Sequence, residues 1–226
     1  MRVLGLIPAR GGSRRVERKN LAEVGGRTLV RRALDTALQS GCLDAVALSS
    51  DDPQILAQAD GLDGVARIER PAELAGDDAL AIDVVRHALE TLGERYDAVA
   101  LIQATSPFTL PEDVCGCVEL LERTGAGSAV TVARAEHAAH PLKLKLLDGD
   151  RLTPWIEDDR MAPAGDLPEL WARNGSVYVA TLATIEAGSL ASDDVRGHPM
   201  PRERSVDVND PLDLEFARFL AARGEG

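Results

Sequence analysis

Aromatic side chains are few: two Trp, two Tyr and three Phe in 226 residues. A wide pocket walled by rings has little to be built from. Cysteine is rarer still, at three. Cys115 and Cys117 stand in Cys-Gly-Cys, not at the spacing of a zinc knuckle, and Cys42 lies far away in sequence. All three read as reduced, small core residues, in keeping with the burial preference of free cysteine. The histidines, His87, His137, His140 and His198, include no i, i+4 pair of the metal-binding kind. No apolar run approaches the roughly 20 residues that span a bilayer, and MRVLGLIPAR is too short before its charges to be a secretory leader. The expected location is the cytoplasm. Positive charge is in deficit, with 25 Lys and Arg against 37 Asp and Glu and a net charge of -12. That excludes the broad basic face on which nucleic acid would bind.

What is present suffices for a full core: 45% apolar and 27% charged residues, well interspersed. At about 100 to 200 residues per domain, the chain reads as one domain over 1–226. Apolar runs of strand length recur at 3–7, 45–49, 65–68, 98–103, 128–133 and 176–180. Most are apolar throughout, as strands covered on both faces are. Between them lie helix-period segments such as TLVRRALDTALQS, PQILAQAD, ALAIDVVRHALETL and PEDVCGCVELLERT, the last with Pro111 at a helix start. Strand alternating with helix predicts a layered α/β fold around a mostly parallel sheet. The pattern breaks over about 136–175, where Leu142, Leu144 and Leu146 alternate with Lys143 and Lys145 before Asp148-Gly149, a hairpin signal. An antiparallel hairpin inserted there predicts an arm, and the Pro-rich MAPAGDLPEL a loop. DVNDPLDLEFARFLAA closes the chain as a helix capped by Asn209 or Asp210.

Positive charge is concentrated at one place. Between Arg10 and Arg32 eight basic residues face only Glu17 and Glu23, a local excess of six. Such a patch binds something small and anionic. It follows the first strand, where α/β sheets commonly cradle phosphate. Gly11 and Gly12 allow close backbone approach, and Arg10, Arg14 and Lys19 can neutralise phosphate charge. The loop is neither a Walker sequence nor a GxGxxG fingerprint, so ATPase and dehydrogenase readings lose their main support.

IPARGGSRRVERKNLAEVGGRTLV resembles the N-terminal motif of the CMP-acylneuraminate (sialic acid) synthetases. ERPAELAGDDA, LIQATSPF, HPLKLKLL, ARNGSVYVA and RSVDVNDPLDLEFA follow in the family's order, so the resemblance spans nearly the whole chain. It implies a three-layer α/β nucleotidyltransferase fold of Rossmann-like type, with the inserted hairpin region as a dimerisation arm of a homodimer. It also implies transfer of CMP from CTP to an anionic acceptor, with release of pyrophosphate and dependence on Mg²⁺. Arg10, Gly11, Gly12, Ser13 and Lys19 would surround the triphosphate, with Asn20 supporting the loop, and Arg70 and Asp77 would lie near the nucleotide. Gln103, Lys143, Arg173 and Asn174 would face the acceptor. Arg10, Lys19 and Asp207 would carry catalysis. Asp207 and Asn209 would be the metal pair, although the family commonly has a second aspartate at the latter position. The acceptor reading stays open. A nonulosonate such as sialic acid fits the family. The stretch GSLASDDVRGHPM, without an aromatic, also admits a smaller acid such as a phosphonate. A catalytically weakened nucleotide-binding protein is the reading from another class, because Asn209 brings no charge.

Overall fold

The computed structural model describes residues 1–156 and 167–224. The chain opens with β1 (Val3–Pro8) and, after the basic loop, makes a small hairpin of β2 (Glu23–Val24) and β3 (Arg27–Thr28). Gly25 and Gly26 turn it at φ 62° and 75°, the left-handed conformations that a two-residue hairpin loop needs. Thr28 then caps α1 (Leu29–Ser40) by accepting the amide of Arg31. There follow β4 (Ala45–Ser50), the short α2 (Pro53–Leu56), β5 (Val65–Glu69), α3 (Ala81–Leu92), β6 (Ala98–Ile102), α4 (Pro111–Thr124) and β7 (Ser128–Arg134). An outlying antiparallel hairpin, β8 (Lys145–Asp148) and β9 (Arg151–Pro154), precedes β10 (Trp171–Thr181), α5 (Leu182–Glu186), β11 (Val195–Pro199) and α6 (Pro211–Arg223).

Among the described residues seven strands form the central sheet, in the order β11-β7-β10-β6-β1-β4-β5. All pairings are parallel except those of β10, which runs antiparallel to both β6 and β7. The uninterrupted apolar runs are explained by two cores. In β1, Val3 and Ile7 face a cluster with Val30, Leu34, Val114 and Leu121, while Leu4 and Leu6 face Ile82, Val85 and Ile185 on the other side. A third cluster packs α6, through Leu214, Ala217 and Leu220, against Val24, Leu29, Phe108 and Val208. No helix among the described residues is long and apolar enough to cross a membrane.

Several elements depart from expectation. β11, with Gly197 between Arg196 and His198 in VRGHP, carries no strand pattern in its sequence; it sits at the sheet edge, where pairing on one side tolerates such residues. The alternation at 142–146 does not begin a strand at Leu142: Pro141–Lys143 forms a helical turn, and pairing starts at Lys145. The loop expected over MAPAGDLPEL falls mostly on 161–166, outside the described residues. The cysteine reading needs correcting for two of the three. Cys42, just after the left-handed cap Gly41 of α1, is disulfide-bonded to Cys115 on α4, with Cα atoms 5.7 Å apart. Packing of α1 on α4 makes neighbours of residues 73 apart in sequence, a proximity that spacing does not reveal. Cys117 is the buried free thiol expected of it, and burial pushes its pKa up to about 12.

Candidate active site

The parallel strands β1, β4, β5 and β6 all end at one edge of the sheet, where α/β folds bind ligands. Antiparallel β10 begins there: Val177 pairs with Ile102, so Arg173 and Asn174 project beyond the end of β6. The opening of β10 is also bulged, because Arg173 pairs with Val132 and Tyr178 with Val130, leaving residues 174–177 opposite Thr131 alone. Gly175 turns within the bulge at φ 83°, against the carboxylate of Asp207.

Arg10, Ser13, Lys19, Asn20, Arg70, Asp77 and Gln103 line a cavity of about 300 Å³ at this edge. Asn20 is buried and donates its amide to the carbonyl of Arg10 at 2.9 Å, so it shapes the loop from below. Gly11 is required by close approach: a Cβ there would lie 2.9 Å from Cβ of Asp52. Its amide is donated to Asp51 Oδ1 at 2.9 Å, so Gly11 fixes the loop instead of pointing a free N–H at the cavity. Gly12 is exposed with open space around it. Arg70 is buried at the end of β5 and donates to Oγ and the carbonyl oxygen of Ser49, which aligns the guanidinium. Burial lowers its pKa, and nearby Arg10 adds to this while Asp51 opposes it. Lys19 Nζ donates to the Val208 carbonyl at 2.8 Å, and desolvation lowers its pKa more than Asp207 raises it. A wider open groove of about 770 Å³ adjoins, sharing Arg70 and Gly76.

A second cavity, of about 640 Å³, is lined by Arg173, Asn174 and Asp207 together with Ala133, Arg134, Ala135, Ala139, Ala172, Arg202 and Phe216. Asp207 Oδ1 is buried without a partner, and Oδ2 accepts the side-chain amide of Asn209 at 2.8 Å. The segment carrying Asp207 is tightly held. Arg204 makes a two-pronged ion pair with the fully buried Asp113, at 2.8 and 3.1 Å, and Val208 donates to the Thr105 carbonyl. Asn174 donates to Ser205 Oγ at 2.9 Å, so its side chain ties the bulge to this segment. Asp207 could hold a divalent cation through its orphaned oxygen. Among the described residues no cluster of three or more His, Cys, Asp and Glu forms a cage, so phosphate and water would complete the shell. Asn209 turns its N–H₂ toward Asp207 and in this arrangement steadies that carboxylate.

The residues expected at the acceptor thus divide. Arg173 and Asn174 line the larger cavity; Gln103 lines the smaller one; Lys143 lines neither, and its ammonium lies 2.6 Å from His137 Nδ1. Glu169 pairs with Arg134, leaving Arg173 directed to the cavity wall. The eight-residue basic patch also divides. Arg27 and Arg31 pair with Asp35, Arg32 donates to the carbonyls of Val24 and Pro107, and Arg18 binds Gln54. Arg134 and Arg202 line the larger cavity without standing in any of the motifs quoted above; Arg134 ends a strand at the binding edge, a position that marks it by that rule.

A family model described as cytidylyltransferase matches residues 4–150. A pseudaminic acid cytidylyltransferase of Campylobacter jejuni is 30% identical over 226 residues, covering 97% of this chain and 96% of that protein. A CMP-N,N'-diacetyllegionaminic acid synthase of Legionella pneumophila is 31% identical over 227 residues, with the same coverages. In structure, a CMP:2-keto-3-deoxy-manno-octonic acid synthetase solved with CTP superposes with a TM-score of 0.74 at 18% identity, over 99% of this chain and 100% of that one. With the phosphate-suited loop, the two cavities and these matches together, the chain belongs to the cytidylyltransferases of the CMP-sialic acid synthetase family and is a CTP-dependent nucleotidyltransferase.

Proposed function

We propose that the protein transfers CMP from CTP to a nonulosonate, a sialic acid-like acidic sugar, and releases pyrophosphate. One observation carries the reading. Lys19 lines the smaller, cationic cavity, and its Nζ binds the carbonyl of Val208, the residue next to Asp207 in the larger one. A triphosphate held by Arg10, Ser13 and Lys19 would therefore have its α-phosphorus near the junction, with the acceptor across from it. Arg10 and Lys19 would stabilise charge as it develops on the departing pyrophosphate. Arg173 offers a cationic group to the acceptor's carboxylate, while Arg134 and Arg202 at the same cavity are already paired with Glu169 and Glu136. Asp207 could take the proton of the attacking hydroxyl. Asp207, whose Oδ1 has no partner, would hold Mg²⁺, and the ion would supply charge neutralisation to the phosphates.

The larger cavity favours an acyl sugar over a small phosphonate. Ala133, Ala135, Ala139 and Ala172 make room by being small, so breadth arises without the missing aromatics, and about 640 Å³ suits a sugar acid of this size. The relatives named for pseudaminic and diacetyllegionaminic acid point the same way. Pyrophosphate release should be measured with CTP, Mg²⁺ and a panel of nonulosonates and small phosphonates. Release with an N-acylated nonulosonate is expected; release with phosphonates alone would reverse the acceptor assignment.

A further inference from the structure

Asp77 is an anion inside a cavity suited to anions. Its Oδ1 lies 2.8 Å from Arg10 Nη1 and its Oδ2 2.8 Å from Arg14 Nη2, so each carboxylate oxygen engages a different guanidinium. Two phosphate oxygens would engage the same pair in the same way. Arg14 is otherwise held by little, its side chain being 86% exposed. Arg10 also repels both Lys19 and Arg70 in this cavity, and Asp77 is the carboxylate that pairs with Arg10 directly. Asp77 stands on the short connection between the helical turn Ala72–Leu74 and α3, beside the exposed Gly76, whose missing Cβ would touch nothing within 4 Å. A carboxylate left against a triphosphate would be repelled by it.

Resting on the nucleotide reading of this cavity, we propose that Asp77 is a stand-in for phosphate: it holds Arg10 and Arg14 at phosphate spacing and is displaced when CTP binds. Asp77 is then a positioning residue that competes with the nucleotide, in contrast to the nucleotide contact expected from sequence. The two roles predict opposite signs.

The test is titration calorimetry of the intact protein with CTP, tripolyphosphate and cytidine. Asp77→Asn and Asp77→Ser should tighten CTP and tripolyphosphate by about three- to tenfold, the scale of two partly exposed ion pairs, and leave cytidine unchanged. The gain should shrink as salt rises, and in turnover it should appear as a lower KM for CTP. Asp78→Asn makes the same charge change outside the clamp and should move CTP affinity less than twofold. Weaker or unchanged CTP binding in both Asp77 variants would overturn the proposal, as would equal tightening by Asp78→Asn. Arg10→Ala separates this from the parent reading: normal CTP binding by that variant would remove the nucleotide from the cavity, whatever Asp77 does.

Discussion

Lys19 carries its charge where burial opposes it. Its ammonium is desolvated, accepted by one backbone carbonyl and only partly supported by Asp207. The folded pKa therefore lies below the ordinary lysine value, and the charge is lost as pH rises through that lowered value. If the charge binds phosphate, kcat/KM for CTP should fall on the alkaline side earlier than an ordinary lysine would dictate. Lys19→Arg, which stays charged, should flatten that limb in a pH-rate profile; an unmoved limb would show that another group titrates. That Lys19, Arg10 and Ser13 line one cavity was legible because the glycines and the basic run mark a phosphate-suited loop at a strand end. Lys143 was not, because its direction depends on whether Pro141–Lys143 is strand or turn, and the leucine alternation suits either. Nor could residue types foresee that Gly11 spends its amide on Asp51, a contact across 40 residues.

At the level of elements, the periodicities located α1, α3, α4 and the buried strands, since each buries a continuous face. They missed α5 and β11, whose short length and edge position leave little apolar pattern. The cysteines divide along the same line. Cys117 follows from its place on the buried face of α4, whereas the Cys42–Cys115 bond follows only from helix packing. Alkylation at pH 8 tests this division. The native, unreduced protein should take no label, because the Cys117 thiol is buried and pushed up to about 12. Unfolded without reductant it should take one label per chain, and after reduction all three cysteines should react. Three labels without reductant would show that the bond is absent.

For the whole molecule, the acidic surface and the cationic site are compatible because the basic run is divided between structure and binding, with Arg27, Arg31 and Arg32 spent on α1 and its neighbours. The scarcity of rings misled in one respect. It counted against a wide acyl-sugar pocket, but the cavity proposed for the acceptor takes its space from four alanines, and its one ring among the described residues, Phe216, arrives from α6 far along the chain. Leu146, Leu147 and Leu152 on the β8-β9 hairpin are exposed, Leu147 at 69% and Leu152 at 64%, which suits an arm laid on a second copy. We expect light scattering to give the mass of a dimer, and replacement of Leu147 and Leu152 by Ser to give monomers. A monomeric unmodified protein would remove that role from the hairpin.

On the function proposed above, the junction of the two cavities joins CMP to an acidic sugar. ³¹P NMR of one reaction holding CTP, Mg²⁺, an N-acylated nonulosonate and a small phosphonate tests it most directly, because both acceptors compete for the same nucleotide. A single new phosphodiester resonance should appear in step with pyrophosphate. Coupled resonances of a phosphonate-CMP anhydride, or CTP bound and left intact, would contradict it.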